Sequence, residues 1–167
     1  MCRLFAIQSS EPESPMAAMR AMDAMREGHD GSGVGLYLTD LGGVFGEMKG
    51  LPILSGIFTR EGLKRLDEYM ISMGFTTRHR LAIKPSKRPP PEVPQRDHYV
   101  VRAYDYPEDW NGLSEAETRD RLMRTRLTLR EMGQEKGDMI VFSFWPDTVM
   151  LKEIGDPMSV AEHLGLD

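Results

Sequence analysis

Cysteine is almost missing from this chain: one thiol, Cys2, stands in 167 residues. That count excludes an internal disulfide and any multi-cysteine zinc site, and it fits a reducing, cytoplasmic setting. Long apolar runs are missing as well. Nothing approaches the roughly eighteen residues of a membrane span. The stretch from Cys2 to Ile7 is too short for a signal-peptide core, and Glu11 and Glu13 follow at once. Basic excess is absent too, since 21 Lys and Arg face 26 Asp and Glu for a net charge of -5. That argues against binding a phosphate backbone, which needs clustered cations. The four histidines, His29, His79, His98 and His163, form no i,i+4 pair and have no carboxylate at metal spacing. His79 lies between two arginines, a poor setting for a metal cation, and surface or hydrogen-bonded roles are expected for all four. There is no internal repeat. The expectation is a cytoplasmic protein without membrane or nucleic-acid partner, metal or cofactor.

What is present reads as one globular α+β unit. Hydrophobic residues make up 40% of the chain and charged ones 28%, a balance that supports a sizeable core. Residues 3–9 read as a strand, broken by Pro12 and Pro15. Ser14 and Pro15 are N-cap and first residue of a helix to about Glu27. Its Met16, Met19, Met22 and Met25 form a core face rather than a soft binding stripe. The glycines of 28–35 precede an apolar strand, Val34–Leu38. A phosphate cradle needs strand, loop, helix in that order, so a dinucleotide or P-loop reading is rejected. Glycine here permits close backbone approach beside something buried. Residues 44–49 read as a further strand ended by Gly50 and Pro52. Strands 3–9, 34–38 and 44–49 are predicted to share one antiparallel sheet, burying Leu4 or Phe5 and Val34 or Leu36.

Further on, Thr59 caps a helix to about Ser72 with Leu63, Leu66 and Met70 on one face, ended by Gly74. Residues 75–83 read as a strand with a polar centre. The prolines of 84–96 mark an inserted, solvated loop. Residues 98–104 form a strand, and Ser114 with Glu117 makes a capping box. The helix behind it carries Leu122, Leu129 and Met132 and stops at Gly133. Residues 139–144 and 149–151 read as a strand pair around Pro146-Asp147. Asp156-Pro157 opens a last helix, with Val160, Ala161 and Leu164 facing inward. Trp110 and Trp145 are packing residues, Asn111-Gly112 is a turn signal, and Arg78 and Arg80 face the surface or a partner.

Cys2 remains. A lone cysteine near an N-terminus is most often a small hydrophobe. Removal of Met1, however, would leave thiol and α-amine on one residue, with ordinary pKa values of about 8.5 and about 7.7–8.0. An amine that deprotonates its own side chain is one route to an acyl-transfer nucleophile. Met1-Cys2 with the stretch behind it, the helix, and Gly28-His29-Asp30-Gly31-Ser32-Gly33-Val34-Gly35-Leu36 resembles the class II glutamine amidotransferases, whose loop runs approximately His-Arg-Gly-Pro-Asp-Ser-Ser-Gly-Ile. Gly28, Asp30, Ser32 and Gly33 fall on family positions, while Glu27 and His29 replace the usual arginine and proline. Lys49-Gly50 also looks like the family. The tail from Leu151 is similar to the glutaminase domains of the glutamate-synthase type, of which N-methylglutamate synthase is a close relative.

The resemblance implies an N-terminal-nucleophile fold, an αββα sandwich. It implies Cys2 as the catalytic nucleophile, Asp30, Gly31, Ser32 and Gly33 in a loop near the site, glutamine as substrate, and a synthase partner that receives ammonia in a hetero- or homo-oligomer. The family's Arg-x-Pro-Thr-Asn-like clamp, its later Asn-Gly oxyanion hole and its amine-binding Asp have no counterpart here. The expectation is therefore the N-terminal part of such a domain, a poor glutaminase by itself. The alternatives are a non-catalytic regulatory or assembly subunit on the same fold, and an unrelated α+β binding domain.

Overall fold

The computed structural model describes residues 4–11, 13–25, 33–81, 83 and 96–166. The elements form where local chemistry starts and stops them. Helix α1 (Pro15–Ala24) is capped by the Ser14 hydroxyl, which accepts from the Met16 N–H at 3.1 Å, with Pro15 in the first turn. Strand β1 (Val34–Leu38) follows, then a 3-10 helix over Gly43–Met48 and strand β2 (Pro52–Phe58). Helix α2 (Arg60–Ser72) is capped by Thr59. Strands β3 (Thr76–Leu81) and β4 (His98–Asp105) lead to helix α3 (Glu115–Lys136), which opens on the Ser114–Glu117 capping box. Strands β5 (Met139–Pro146) and β6 (Val149–Glu153) precede helix α4 (Pro157–Leu164). Asp156 caps α4 and Gly165, left-handed, ends it.

Two antiparallel sheets result. Four strands lie in the order β3-β4-β2-β5, and β1 pairs with β6 from Val34↔Glu153 to Leu38↔Val149. In chain order the larger unit is β2-α2-β3-β4-α3-β5. Its strand arrangement is that of the ferredoxin-like split βαβ. The β1–β6 pair flanks that unit in sequence. The larger sheet is covered on both faces, and every residue of its central strand β2 is buried. Leu54, Phe58, Val100, Tyr104 and Phe144 pack with Leu66, Met70, Leu122 and Leu129 of α2 and α3. Ile53, Ile57, Tyr99, Val101 and Phe142 pack with Met19, Leu36, Phe45, Leu151, Val160 and Leu164 from the flanking elements.

Several expectations are corrected. Residues 4–9 have no regular structure and join neither sheet; Leu4 is 91% exposed and Phe5 is exposed too. An apolar stretch becomes a strand only beside a partner, and the partner of β1 is β6. Residues 44–49 are not a strand but mostly 3-10 helix, because Phe45 and Met48, three apart, are the buried pair while Val44 is exposed. The predicted three-strand sheet is therefore not formed, although Val34 and Leu36 are buried as expected. Pro52 does not end a strand but begins β2, the position where a strand tolerates the missing N–H. β5 and β6 do not pair with each other. Asp147, at positive φ, turns the chain from one sheet to the other.

Helix α3 runs past Gly133 to a left-handed Gly137. Gly133 is buried, and a Cβ there would overlap the Met139 carbonyl oxygen. Close packing on β5, not chain termination, explains that glycine. The polar centre of β3 is that of an edge strand, where charge discourages further pairing. Arg78 pairs with Asp105 at 2.9 Å and His79 lies 3.4 Å from Glu47.

Candidate functional site

Cys2, Asp30, Gly31 and Ser32 lie outside the described residues. Gly33 is described, and it sits where the sequence places a close approach. Its φ is +111°, and a Cβ would overlap the backbone oxygen of Glu153 across the β1–β6 ladder. What it abuts is the backbone of Glu153, whose side chain is a buried carboxylate.

Glu153 faces inward because it follows Val149 and Leu151 at the two-residue period of β6. Its side chain is 1% exposed. The Arg96 guanidinium grips it in a fork, Nε donating to Oε2 at 3.1 Å and Nη2 to Oε1 at 3.0 Å. The Tyr99 hydroxyl donates to Oε2, and the Ile154 N–H to Oε1 at 2.8 Å. Burial pushes the Glu153 pKa up, but these donors outweigh it and hold the carboxyl below its ordinary value. The same burial, with the adjacent carboxylate, raises Tyr99 far above the ordinary tyrosine range. Arg96 is held protonated by Glu153.

His163 of α4 stands edge-on to the Tyr99 ring, centroids 5.9 Å apart. It is 1% exposed, and neither ring nitrogen has a hydrogen-bond partner among the described residues. The expectation of a surface or hydrogen-bonded histidine fails for this one. Burial lowers its pKa, against an opposing pull from Glu153.

A depression of about 450 Å³ opens beside the cluster. Val34, Ile57 and Phe142 supply its apolar side, and Arg96 and Lys152 its cations. A larger one, about 610 Å³, lies over the other layer between Tyr69, Trp110, Arg121 and Thr128. There Arg121 stacks on Trp110 at 5.5 Å and reaches Asp109 at 3.4 Å, so its charge is already matched. The smaller depression has the better claim, because Arg96 and the buried Glu153 line it.

Sequence reasoning missed Arg96, Tyr99, Glu153 and His163. The signal was there for Glu153, a carboxylate in phase with Val149 and Leu151, and for His163, beside Leu164 and one turn from Val160. Other expected features fall elsewhere. The Lys49 ammonium pairs with Asp40 at 2.9 Å, and the Gly50 N–H donates to Asp147 at 2.7 Å. Asn111-Gly112 forms a turn far along the chain from these groups. Among the described residues no group of three or more His, Cys, Asp and Glu could hold a metal ion, and no helix is long and apolar enough to cross a membrane. No family model, curated protein or solved structure matches the chain.

Proposed function

We propose that this chain is a glutaminase of the class II amidotransferase kind, with Cys2 as nucleophile once Met1 is removed. The observation that carries the reading is the Gly33 contact. Gly33 leads into β1 by a backbone approach that no side chain permits, against the strand end that bears a buried, fully paired carboxylate. This is the role assigned to the glycines from sequence. In this reading the β1–β6 side belongs to an αββα sandwich of the N-terminal-nucleophile type, and the βαββαβ unit is an insertion within it.

The chemistry is balanced by the residue itself. The Cys2 α-amine takes the thiol proton, and the thiolate attacks the side-chain carboxamide of glutamine. Collapse of the tetrahedral adduct breaks the C–N bond and releases ammonia, leaving a γ-glutamyl thioester. Water, deprotonated by the same amine, then frees glutamate. Ammonia passes to a synthase partner.

A second reading, a non-catalytic regulatory or assembly subunit, is favoured by one observation: residues 4–9 join neither sheet, whereas the glutaminase reading expects a strand there. One experiment separates the two. Intact mass of the purified protein reports whether Met1 is removed, and an electrophilic glutamine analogue reports whether Cys2 is reactive. The glutaminase reading expects loss of Met1, labelling at Cys2, and loss of labelling and glutamine hydrolysis in Cys2→Ala. Retained Met1, or an unlabelled Cys2, sinks it in favour of the subunit.

A further inference from the structure

His163 is a titratable group that the proposed chemistry does not use, and its setting is unusual. A neutral imidazole offers one donor and one acceptor. Here both nitrogens are buried without a partner among the described residues. The nearest carboxylate cannot serve as one, because the Glu153 oxygens already accept from Arg96, Tyr99 and the Ile154 N–H. A proton added to this ring would be a buried charge with no hydrogen-bonded counter-ion among the described residues.

The charged and titratable groups around α4 are few. Tyr99 lies on β4, Glu153 on β6, and Arg96 just ahead of β4. Helix α1 packs on α4 and carries Arg20 and Asp23, and α4 itself carries Glu162 and its Asp156 cap. Glu153 favours the charged imidazole, and burial outweighs it.

The helix that carries His163 is eight residues long. The backbone N–H groups of Val160, Gly165 and Leu166 donate to Asp156, Glu162 and Ala161, all within the same segment. Pro157, Val160, Ala161, His163 and Leu164 are the side chains that seat it. An isolated helix of this length does not persist in water, so losing the seat means losing the helix.

We propose that His163 is an acid-operated release for α4: the ring is seated only as the neutral base, so as pH falls through and below the ordinary imidazole range the helix leaves the Tyr99–Glu153 face while the four-stranded sheet and its helices stay folded. The sign follows from linkage. The seated ring has a lower pKa than the released ring, so release takes up a proton and is favoured as pH falls from the released value toward the seated one. The inference holds whether or not Cys2 is a nucleophile.

Amide hydrogen exchange of residues 157–164 between pH 7.5 and 5, corrected for intrinsic rates and compared with α3, tests it. Protection of α4 should fall by up to about tenfold per pH unit below pH 6.5, while α3 holds. In His163→Phe the α4 protection should lose that dependence. Equal loss in α3 and α4, a flat α4 profile, or an unchanged dependence in His163→Phe would overturn the proposal. If the variant does not fold, the imidazole resonance of the wild-type protein decides. A native His163 that titrates at or above 6.5 overturns the release, and one that stays neutral to lower pH while α4 opens supports it.

Discussion

The two faces of the four-stranded sheet are both buried, yet they are built from different material. Toward α2 and α3 the contact is mainly aromatic, with Arg102, paired to Asp67, and Thr125 as its buried polar residues. Phe75 meets Trp110 at 5.3 Å, Phe144 at 5.4 Å and Tyr104 at 6.1 Å, all edge to face. Toward β1, β6 and α4 the core holds Ser55, Ser143, Tyr99, Glu153 and His163 among its apolar residues. Aromatic edges gain about 0.5–1.5 kcal/mol per pair beyond the area they bury. A buried ion pair gains little net stability, because desolvation offsets its Coulomb attraction. The first face is thus organised for stability. The second bears the larger share of buried polar groups, among them the Arg96–Glu153 pair and the His163 ring, and that is why the candidate site is placed there.

The largest expected effects contrast the two faces directly. Phe144→Ala should cost about 3–5 kcal/mol in urea unfolding, by the same amount at pH 8 and near pH 3.5. Arg96→Ala should cost about 3–5 kcal/mol at pH 8, because it strands a buried carboxylate. That second cost should shrink in acid. The Glu153 pKa is lowered in the native state, so its stabilisation is present above the unfolded value near 4.3 and is lost as pH falls through the native one. A cost for Arg96→Ala that does not change with pH would show that the guanidinium acts by packing alone, and the contrast between the faces would fail.

How much of this was legible depended on whether the signal was local. The caps at Ser14, Thr59, Ser114 and Asp156 were readable because each is a side chain bonding its own helix. The faces of α2, α3 and α4 were readable from period alone. Strand β2 was hidden for two reasons. Pro52 looks like a stop, and a strand covered on both sides has no alternation to read. Residues 4–9 failed in the opposite direction, since their apolar pattern says nothing about whether a neighbouring strand exists. The Arg96–Glu153 pair joins residues 57 apart, and no local pattern reports such a meeting. Gly33 was readable in part: its need for closeness could be inferred, but not that the backbone it approaches is that of Glu153.

A middle-sized effect tests the packing of the apolar face. Glycine to alanine inside a helix normally stabilises, by about 0.5–1 kcal/mol. Gly133→Ala in α3 should instead destabilise by about 1–3 kcal/mol, the usual cost of overpacking, because the new methyl meets the Met139 carbonyl. Backbone on the neighbouring strand cannot swing aside as a side chain would. Thermal unfolding read by circular dichroism gives the sign at once. A higher Tm for Gly133→Ala would mean that α3 stands farther from β5 than described, and that this face is less tightly closed than the other.

The smallest effect concerns the seam between the two sheets. The hydroxyls of Ser55 on β2 and Ser143 on β5 are 2.6 Å apart, and the Met150 N–H of β6 donates to Ser55 at 3.3 Å. Ser55 therefore ties three strands on the polar face through one oxygen. Ser55→Ala leaves the Ser143 hydroxyl and the Met150 N–H without that partner, at about 1–2 kcal/mol, the scale of one buried polar group left unsatisfied. The cost should be sub-additive with Ser143→Ala, since the second substitution removes one of the groups the first one stranded. A double-mutant cycle in urea measures this. Full additivity would mean that the two hydroxyls do not interact, and the polar face would then be joined to the sheet by apolar packing alone.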